Sequence, residues 1–344
     1  MNSRTFSRLA SHVRPGLRGL TGRRSAGSWL RFALLASLAL APGAQTVPGD
    51  GGAGASAPLQ FEGVARDQFG GLRRPSRITV SNKGEIYVSD TLRGVVAIFD
   101  DQGRRVGTLT GFQRPLGLAV SMFRRCNGCG GGCRQVQTAY VGDQSDGSVA
   151  VFENGQRRRL LGSGPGEFLK PNGIAVSSSR IVYVADSEAN HIKMFARDGS
   201  LIRSFGTLGW GSGQLDFPTD IAFDETRSEV YVAEHNNRRI SVFDPNGVFL
   251  RWVFAPYDDQ GNPVWFRISG LGLGPAGSLY VVDSALSSVA IVASDGSLLG
   301  QIGYRSGTYW TGDLKVPIDA ATDGSSLYVT SSTDHLVKVF GALP

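Results

Sequence analysis

Pro171-Asn-Gly-Ile-Ala-Val176, followed by Tyr183-Val-Ala-Asp186 and Asn190-His-Ile192, is the stretch from which the architecture reads. Its centre recurs along the chain. Tyr87-Val-Ser-Asp90, Tyr140-Val-Gly-Asp143, Tyr231-Val-Ala-Glu234, Tyr280-Val-Val-Asp283 and Tyr328-Val-Thr-Ser331 are further copies, at intervals of 53, 43, 48, 49 and 48 residues. A period in the high forties marks a repeat architecture and makes most of the recurring residues structural.

Working outward, each tyrosine is preceded by a proline with an apolar residue three positions on: Pro75/Ile78, Pro115/Leu118, Pro171/Ile174, Pro218/Ile221 and Pro317/Ala320. The fifth copy keeps the spacing without the proline, as Ile268/Leu271. Downstream come a β-branched residue, then Phe99, Phe152, Phe195, Phe243, Val292 or Phe340, and in the first five copies a glycine at the next turn. Short β-branched and aromatic runs bounded by Gly, Asn, Asp and Pro predict strands and turns, and no stretch after residue 60 has the spacing of a long helix. Each copy predicts four short antiparallel strands. A sheet of that size cannot bury both faces alone, so six of them stack into a six-bladed all-β propeller. The last copy stops after its third strand. Leu59-Gln-Phe61-Glu-Gly-Val64 is the expected fourth, an N-terminal strand completing the last blade and removing a sheet edge.

The copies resemble the NHL-repeat family, a group of mostly six-bladed propellers. The resemblance rests on Gly164-Pro-Gly-Glu-Phe168, Pro171, Tyr183-Val-Ala-Asp186 and Asn190-His-Ile192, with residues 209–240 nearly matching. The other copies have drifted, and Ser331 replaces the acid. It implies a fold rather than a function, because that fold hosts scaffolds, RNA binders, sensors and a few metalloenzymes. The amidating-lyase branch binds zinc through histidines just after the proline, where this chain has none. His191, His235 and His335 stand at other offsets.

Seven arginines and no acid precede residue 47, and a short apolar run, Phe32 to Ala41, leads to Pro42-Gly-Ala44. That pattern predicts a secretory signal over 1–44, with a flexible linker over 45–58 and the propeller over 59–344. The apolar run is too short to anchor the chain across a bilayer, so no transmembrane segment is expected in the mature chain. The formal charge of the full chain is +6, from 35 basic and 29 acidic residues. Without the leader's seven arginines, 28 basic residues face 29 acids. No basic excess is left to drive phosphate-backbone affinity, so nucleic acid is not an expected partner.

Cys126-Asn-Gly-Cys129-Gly-Gly-Gly-Cys133 lies in an insertion between the first two strands of the second repeat. In an exported chain the expectation is a disulfide between two of the three, over a metal site that lacks a fourth ligand.

Functional residues should break the repeat. The acids ending the second strands recur, and are expected to accept N–H groups from the turn that follows. The two residues after each proline sit near the channel mouth and do vary: Ser76-Arg77, Leu116-Gly117, Asn172-Gly173, Thr219-Asp220, Ser269-Gly270 and Ile318-Asp319. Arg77, Asn172, Asp220 and Asp319 form the candidate polar binding set. Trp265 and Trp310, in the unusual segments around Tyr257–Gln260 and Tyr304–Trp310, are the candidate aromatic contacts. The function expected is an exported binding or protein-interaction module, without cofactor, taking a protein, peptide or glycan at the channel-mouth face. The alternative is a lactonase-like hydrolase or lyase whose Ca²⁺ is held by Asn172, Asp220 and Asp319.

Overall fold

The proline that opens each repeat opens the innermost strand of a blade. The computed structural model describes residues 67–126, 132–258, 261–303 and 314–341. The signal, the linker, Cys129, Trp310 and the 59–64 segment expected to complete blade six lie outside the described residues. The described part belongs to a single compact unit.

The inner strands are Pro75–Val80, Pro115–Cys126, Pro171–Val176, Pro218–Asp224, Ile268–Leu273 and Pro317–Thr322. Each is the first of four antiparallel strands, giving six sheets. In blade 3 the inner strand is followed by Val182–Asp186, His191–Phe195 and Leu201–Phe205. Each inner strand touches that of the next blade, and the sixth touches the first. In blade 6 the outermost position is taken by Asp67–Phe69, which pairs antiparallel with Leu336–Gly341. Phe69 then packs against Phe99 of blade 1, ring centroids 4.7 Å apart. Among the described residues the only helix is a 3-10 turn, Pro275–Gly277.

The recurring aromatics fill the seams between blades. Tyr183, Ile192 and Phe205 of blade 3 share a cluster with Ile221, Val230 and Phe243 of blade 4. Tyr328 and Val337 of blade 6 share another with Ile78, Val88 and Phe99 of blade 1. Burying each Phe or Ile stabilises the seam by about 1.5–3 kcal/mol relative to exposure. The turn glycines Gly103, Gly155, Gly199, Gly247 and Gly296 all have φ between 71° and 93°, where a Cβ is strained.

The strand-end acids are structural, but their main partners lie upstream of the inner strand rather than in the following turn. Asp90 accepts from the N–H groups of Arg73 and Arg74 (2.8 and 3.0 Å). Asp143 accepts from Gln113 and Arg114 (2.7 and 3.0 Å), and Asp186 from Leu169 and Lys170 (3.0 and 2.7 Å). The connection entering a blade has no strand neighbour there, so its amides need an acceptor. Asp143 and Asp283 also hold the following turn, through Ser145 and through Ala285 and Leu286. In blade 4 the longer Glu234 takes one such amide, Asp216 at 3.0 Å, and binds the fully buried Arg239 at 2.7 Å. Asn190 takes the other, from Phe217, at 2.8 Å.

Candidate functional site

Every inner strand bulges directly after its first residue. Pro75 pairs with Asp90 but Ile78 pairs with Val88, so three steps oppose two. The same shift occurs in the other five blades. A bulge frees residues from the ladder and re-aims them. The two positions after the proline are those residues, which is why the set chosen from the sequence meets at the axis.

Arg77 occupies the centre. Its Nη1 donates to Asp220 Oδ2 at 3.0 Å and to the Ser269 carbonyl at 2.8 Å. Its Nη2 donates to Asn172 Oδ1 at 2.9 Å and to the Thr219 carbonyl at 2.5 Å. Asp319 Oδ1 stands 3.8 Å from Nη1. One guanidinium from blade 1 thus reaches blades 3, 4 and 5 and faces blade 6. Its five donors and planar fork suit this task better than a lysine would.

The two aspartates also cap the amides that the bulges release. Asp220 accepts from Ile221 (2.9 Å) and from Leu271 of the next blade (2.8 Å). Asp319 repeats the pattern with Ala320 (2.9 Å) and Ile78 (3.0 Å), across the seam where the ring closes. The preceding blade makes room for each. A Cβ on Gly173 would lie 2.6 Å from Asp220 Oδ1, and one on Gly270 would lie 2.6 Å from Asp319 Oδ1. Burial raises the pKa of Asp220, against the pull of Arg77. Burial, then the charge of Asp220, holds Asp319 well above the aspartate range. Asn172, Asp220 and Asp319, the oxygen set expected for calcium, here hold the Arg77 guanidinium and strand amides.

Arg77 divides the channel. Below it, a cavity of about 230 Å³ is walled by aliphatic residues such as Val80, Val176 and Leu273, with Asp220 and Asp319 at its closed end. Above it, at the mouth, opens a vestibule of about 470 Å³. Arg74, Arg114 and Lys170 stand on its rim, each the residue just before an inner-strand proline in blades 1, 2 and 3. Phe217 holds the equivalent place in blade 4, in edge contact with His235. Among the described residues, no carboxylate lines the vestibule. The strand-end acids Asp90, Asp143 and Asp186 bond the backbone of Arg74, Arg114 and Lys170, so the repeat fixes their main chain and not their side chains. Lys170 also reaches Glu188 at 3.4 Å and lies 5.1 Å over the Phe217 ring. Sequence reasoning missed this crescent because it looked only after the proline; the basic residue one place before it in three consecutive blades was the available signal.

Two aromatic expectations resolve differently. Trp265 is not a mouth contact: it is 1% exposed, donates its indole N–H to the Arg238 carbonyl (3.1 Å) and packs in the seam between blades 4 and 5. An indole beside the core is worth more buried than wet. Tyr257 is 70% exposed but does not line the vestibule. The insertion of blade 2 extends its first two strands into a long hairpin, Pro115–Cys126 and Cys133–Asp143, tied by a Cys126–Cys133 disulfide.

Comparison with known proteins agrees with this geometry at the level of fold. The streptogramin B lyase structure superposes with a TM-score of 0.53 at 12% identity, covering 85% of this chain and 90% of that one. Virginiamycin B lyase from Staphylococcus aureus gives 0.54 at 12%, covering 80% and 99%. Hydrazine synthase from Kuenenia stuttgartiensis gives 0.53 at 14%, covering 79% and 97%. In sequence, Protein brain tumor of Drosophila melanogaster is 25% identical over 139 residues, 40% of this chain and 13% of that protein. RING finger protein nhl-1 of Caenorhabditis elegans is 36% identical over 66 residues, 19% and 7% of the respective lengths. The chain therefore spans only a small part of these curated relatives. The NHL repeat family model matches residues 168–195, the stretch that carries the Tyr183-Val-Ala-Asp186 copy. The chain is thus a six-bladed β-propeller that carries an NHL repeat in its third blade, with the pattern of that repeat recurring in the other five.

Proposed function

We propose that the chain is an exported binding module whose ligand, an acidic segment of a protein or peptide or an acidic glycan, sits in the vestibule at the channel mouth. The observation that carries this reading is the vestibule itself. It is about 470 Å³, floored by the Arg77 cage and rimmed by Arg74, Arg114 and Lys170, with no carboxylate lining it among the described residues. A concave site with cations of one sign focuses the field on an incoming anion, and Phe217 and Leu92 add apolar contact. The arginine-rich leader supports export, and the Cys126–Cys133 disulfide suits an oxidising compartment.

The test is capture of a fluorescent hexaglutamate peptide by the wild-type chain and by Arg74→Glu/Arg114→Glu. Charge reversal at the rim should weaken binding by a factor of ten or more and leave the thermal melt in place. Equal binding by both proteins would remove the vestibule from consideration. Turnover of an ester or lactone panel that disappears on chelation and in Asp220→Asn/Asp319→Asn would establish the hydrolase instead.

A further inference from the structure

Blade 2 breaks the repeat a second time, at its end remote from the mouth, where it meets blade 3. The second-strand tyrosines bury their rings and place their hydroxyls at the blade seam. In three blades the hydroxyl donates to a carboxylate: Tyr87 to Glu85 (3.3 Å), Tyr231 to Glu229 (2.6 Å) and Tyr328 to Asp323 (2.8 Å). Tyr183 uses the Pro245 carbonyl at 2.8 Å. In blade 2 the position matching Glu85 and Glu229 is Thr138. Tyr140, only 2% exposed, has no hydrogen-bond partner for its hydroxyl among the described residues.

Arginines gather where the acid is missing. Tyr140 lines a cavity of about 30 Å³ together with Phe123, Thr138, Arg125, Arg159, Arg180, Arg197 and Glu153. Four guanidinium groups thus face one carboxylate, and that carboxylate is taken. Glu153 binds Arg125 through two bonds, at 3.1 and 2.6 Å. Arg159, Arg180 and Arg197 have no acidic partner within ion-pair distance among the described residues. Two of them are nevertheless held in place by neutral groups. Arg159 donates to the Arg197 carbonyl, and Arg180 donates to the Arg124 carbonyl with its guanidinium 4.6 Å over the Phe123 ring. Arg159 Nε is buried without a partner. Arg159 and Arg180 are half-buried and Arg197 is exposed. Glu153 and Asp198 lie within electrostatic reach of Arg159, but none of the three arginines has an ion-paired acid among the described residues. Cations thus outnumber acids around the Tyr140 hydroxyl, and the site suits an anion.

We propose that this cavity is a binding site for a phosphate or phosphomonoester group, its oxygens accepting from Arg159, Arg180, Arg197 and the Tyr140 hydroxyl. The enclosed room is that of about two water molecules, so a phosphate would seat only some of its oxygens there while the rest of the group and any larger ligand project into solvent. Charge selects phosphate over a carboxylate: three cations without ion-paired acids match a dianion with three acceptor oxygens, and arginine forks suit that geometry. Burial, with the charges of Arg197 and Arg125, already depresses the pKa of Arg180, a repulsion that a bound anion relieves. The site is separate from the vestibule and does not depend on the function proposed there.

The experiment measures the thermal melt and calorimetric binding of the full chain in potassium phosphate, in methyl phosphate and in potassium chloride of matched ionic strength. Phosphate should raise the melt in a saturable way that chloride does not reproduce. Arg159→Gln/Arg180→Gln should weaken binding at least tenfold, in line with charge-assisted bonds. Tyr140→Phe, which removes a single atom and keeps the packing, should weaken it several-fold and carries the test if the arginine variant fails to fold. Methyl phosphate binding as well as phosphate assigns the site to a phosphomonoester group, whereas binding of orthophosphate alone assigns it to the free ion. No saturable shift with either, or a shift unchanged in both variants, overturns the proposal.

Discussion

Arg77 of blade 1 and Asp220 of blade 4 meet across the channel axis with Nη1 and Oδ2 3.0 Å apart and side chains 3% and 8% exposed. They are 143 residues apart in sequence. The contact therefore forms only when the ring is assembled, and it reports closure as no contact within a blade can. Taking both charges out of water is costly. The acceptors from Asn172, Thr219 and Ser269 with the amides of Ile221 and Leu271 offset that cost, although Arg77 Nε finds no partner among the described residues.

Arg77→Met leaves two buried carboxyls without their cation, and the expected loss is about 3–5 kcal/mol at neutral pH. Because both carboxyls can take up protons, the deficit should shrink as the pH falls toward 4. Urea unfolding at pH 7 and pH 4 measures it. A pH-independent loss below about 1 kcal/mol would contradict the cage.

Asp319 gives a second pH signature. Its folded pKa lies well above the ordinary value of 3.8, so between the two values the folded chain binds more protons than the unfolded chain. Stability must then fall as the pH rises from 3.8 through the raised pKa. Asp319→Asn, which cannot ionise, should flatten that decline and be least harmful, relative to wild type, at the high end of the window. Melts from pH 4 to 9 on both proteins should show the two curves farthest apart at the acid end and converging as the pH rises; convergence at the acid end instead would contradict the raised pKa.

Calcium should leave the melt where it is, because the oxygens of Asn172, Asp220 and Asp319 already hold Arg77 and strand amides. Melts with calcium and with chelator check this. A calcium-dependent rise lost in Asp220→Asn would return the centre to metal binding.

Trp265→Ala should cost about 3–5 kcal/mol, the usual loss for a large buried aromatic. It should leave peptide capture at the mouth unchanged, once measured below the lowered melt. An effect on capture without one on stability would place the indole at the ligand after all.

Cys126→Ser/Cys133→Ser should cost no more than about 2.5 kcal/mol, the closure entropy of so short a loop. Because the tie sits at the far end of a hairpin, hydrogen exchange should speed up there and remain slow in the inner strands of the other blades.

Most of the fold was legible because a propeller repeats its core. Tyr183 recurs in all six blades, and Pro171 and Phe195 recur in every blade but the fifth, where Ile268 and Val292 stand instead, so spacing identified them. At the edge of blade 6 the described residues show Asp67–Phe69, while the expected 59–64 segment lies outside them. A strand at the edge of a sheet has one partner and a weak pattern, so hydrophobicity alone indicates its existence better than its register. The polar set at the axis was found by asking which residues vary at a repeated position. Trp265 was misread for the same reason in reverse: an unusual residue in an irregular connection can depart from the repeat in order to seal a seam.

The number of blades, their strands and the residues that pack between them follow from local periodicity repeated six times, so the chain alone reveals them. That Arg77 is the cation held by Asn172, Asp220 and Asp319, that basic rim residues share one vestibule, and that Tyr140 faces more arginines than acids emerge only in three dimensions. Those relations join residues of different blades, and their distances are set by closing the ring, which brings positions far apart in the chain to within a hydrogen bond of one another.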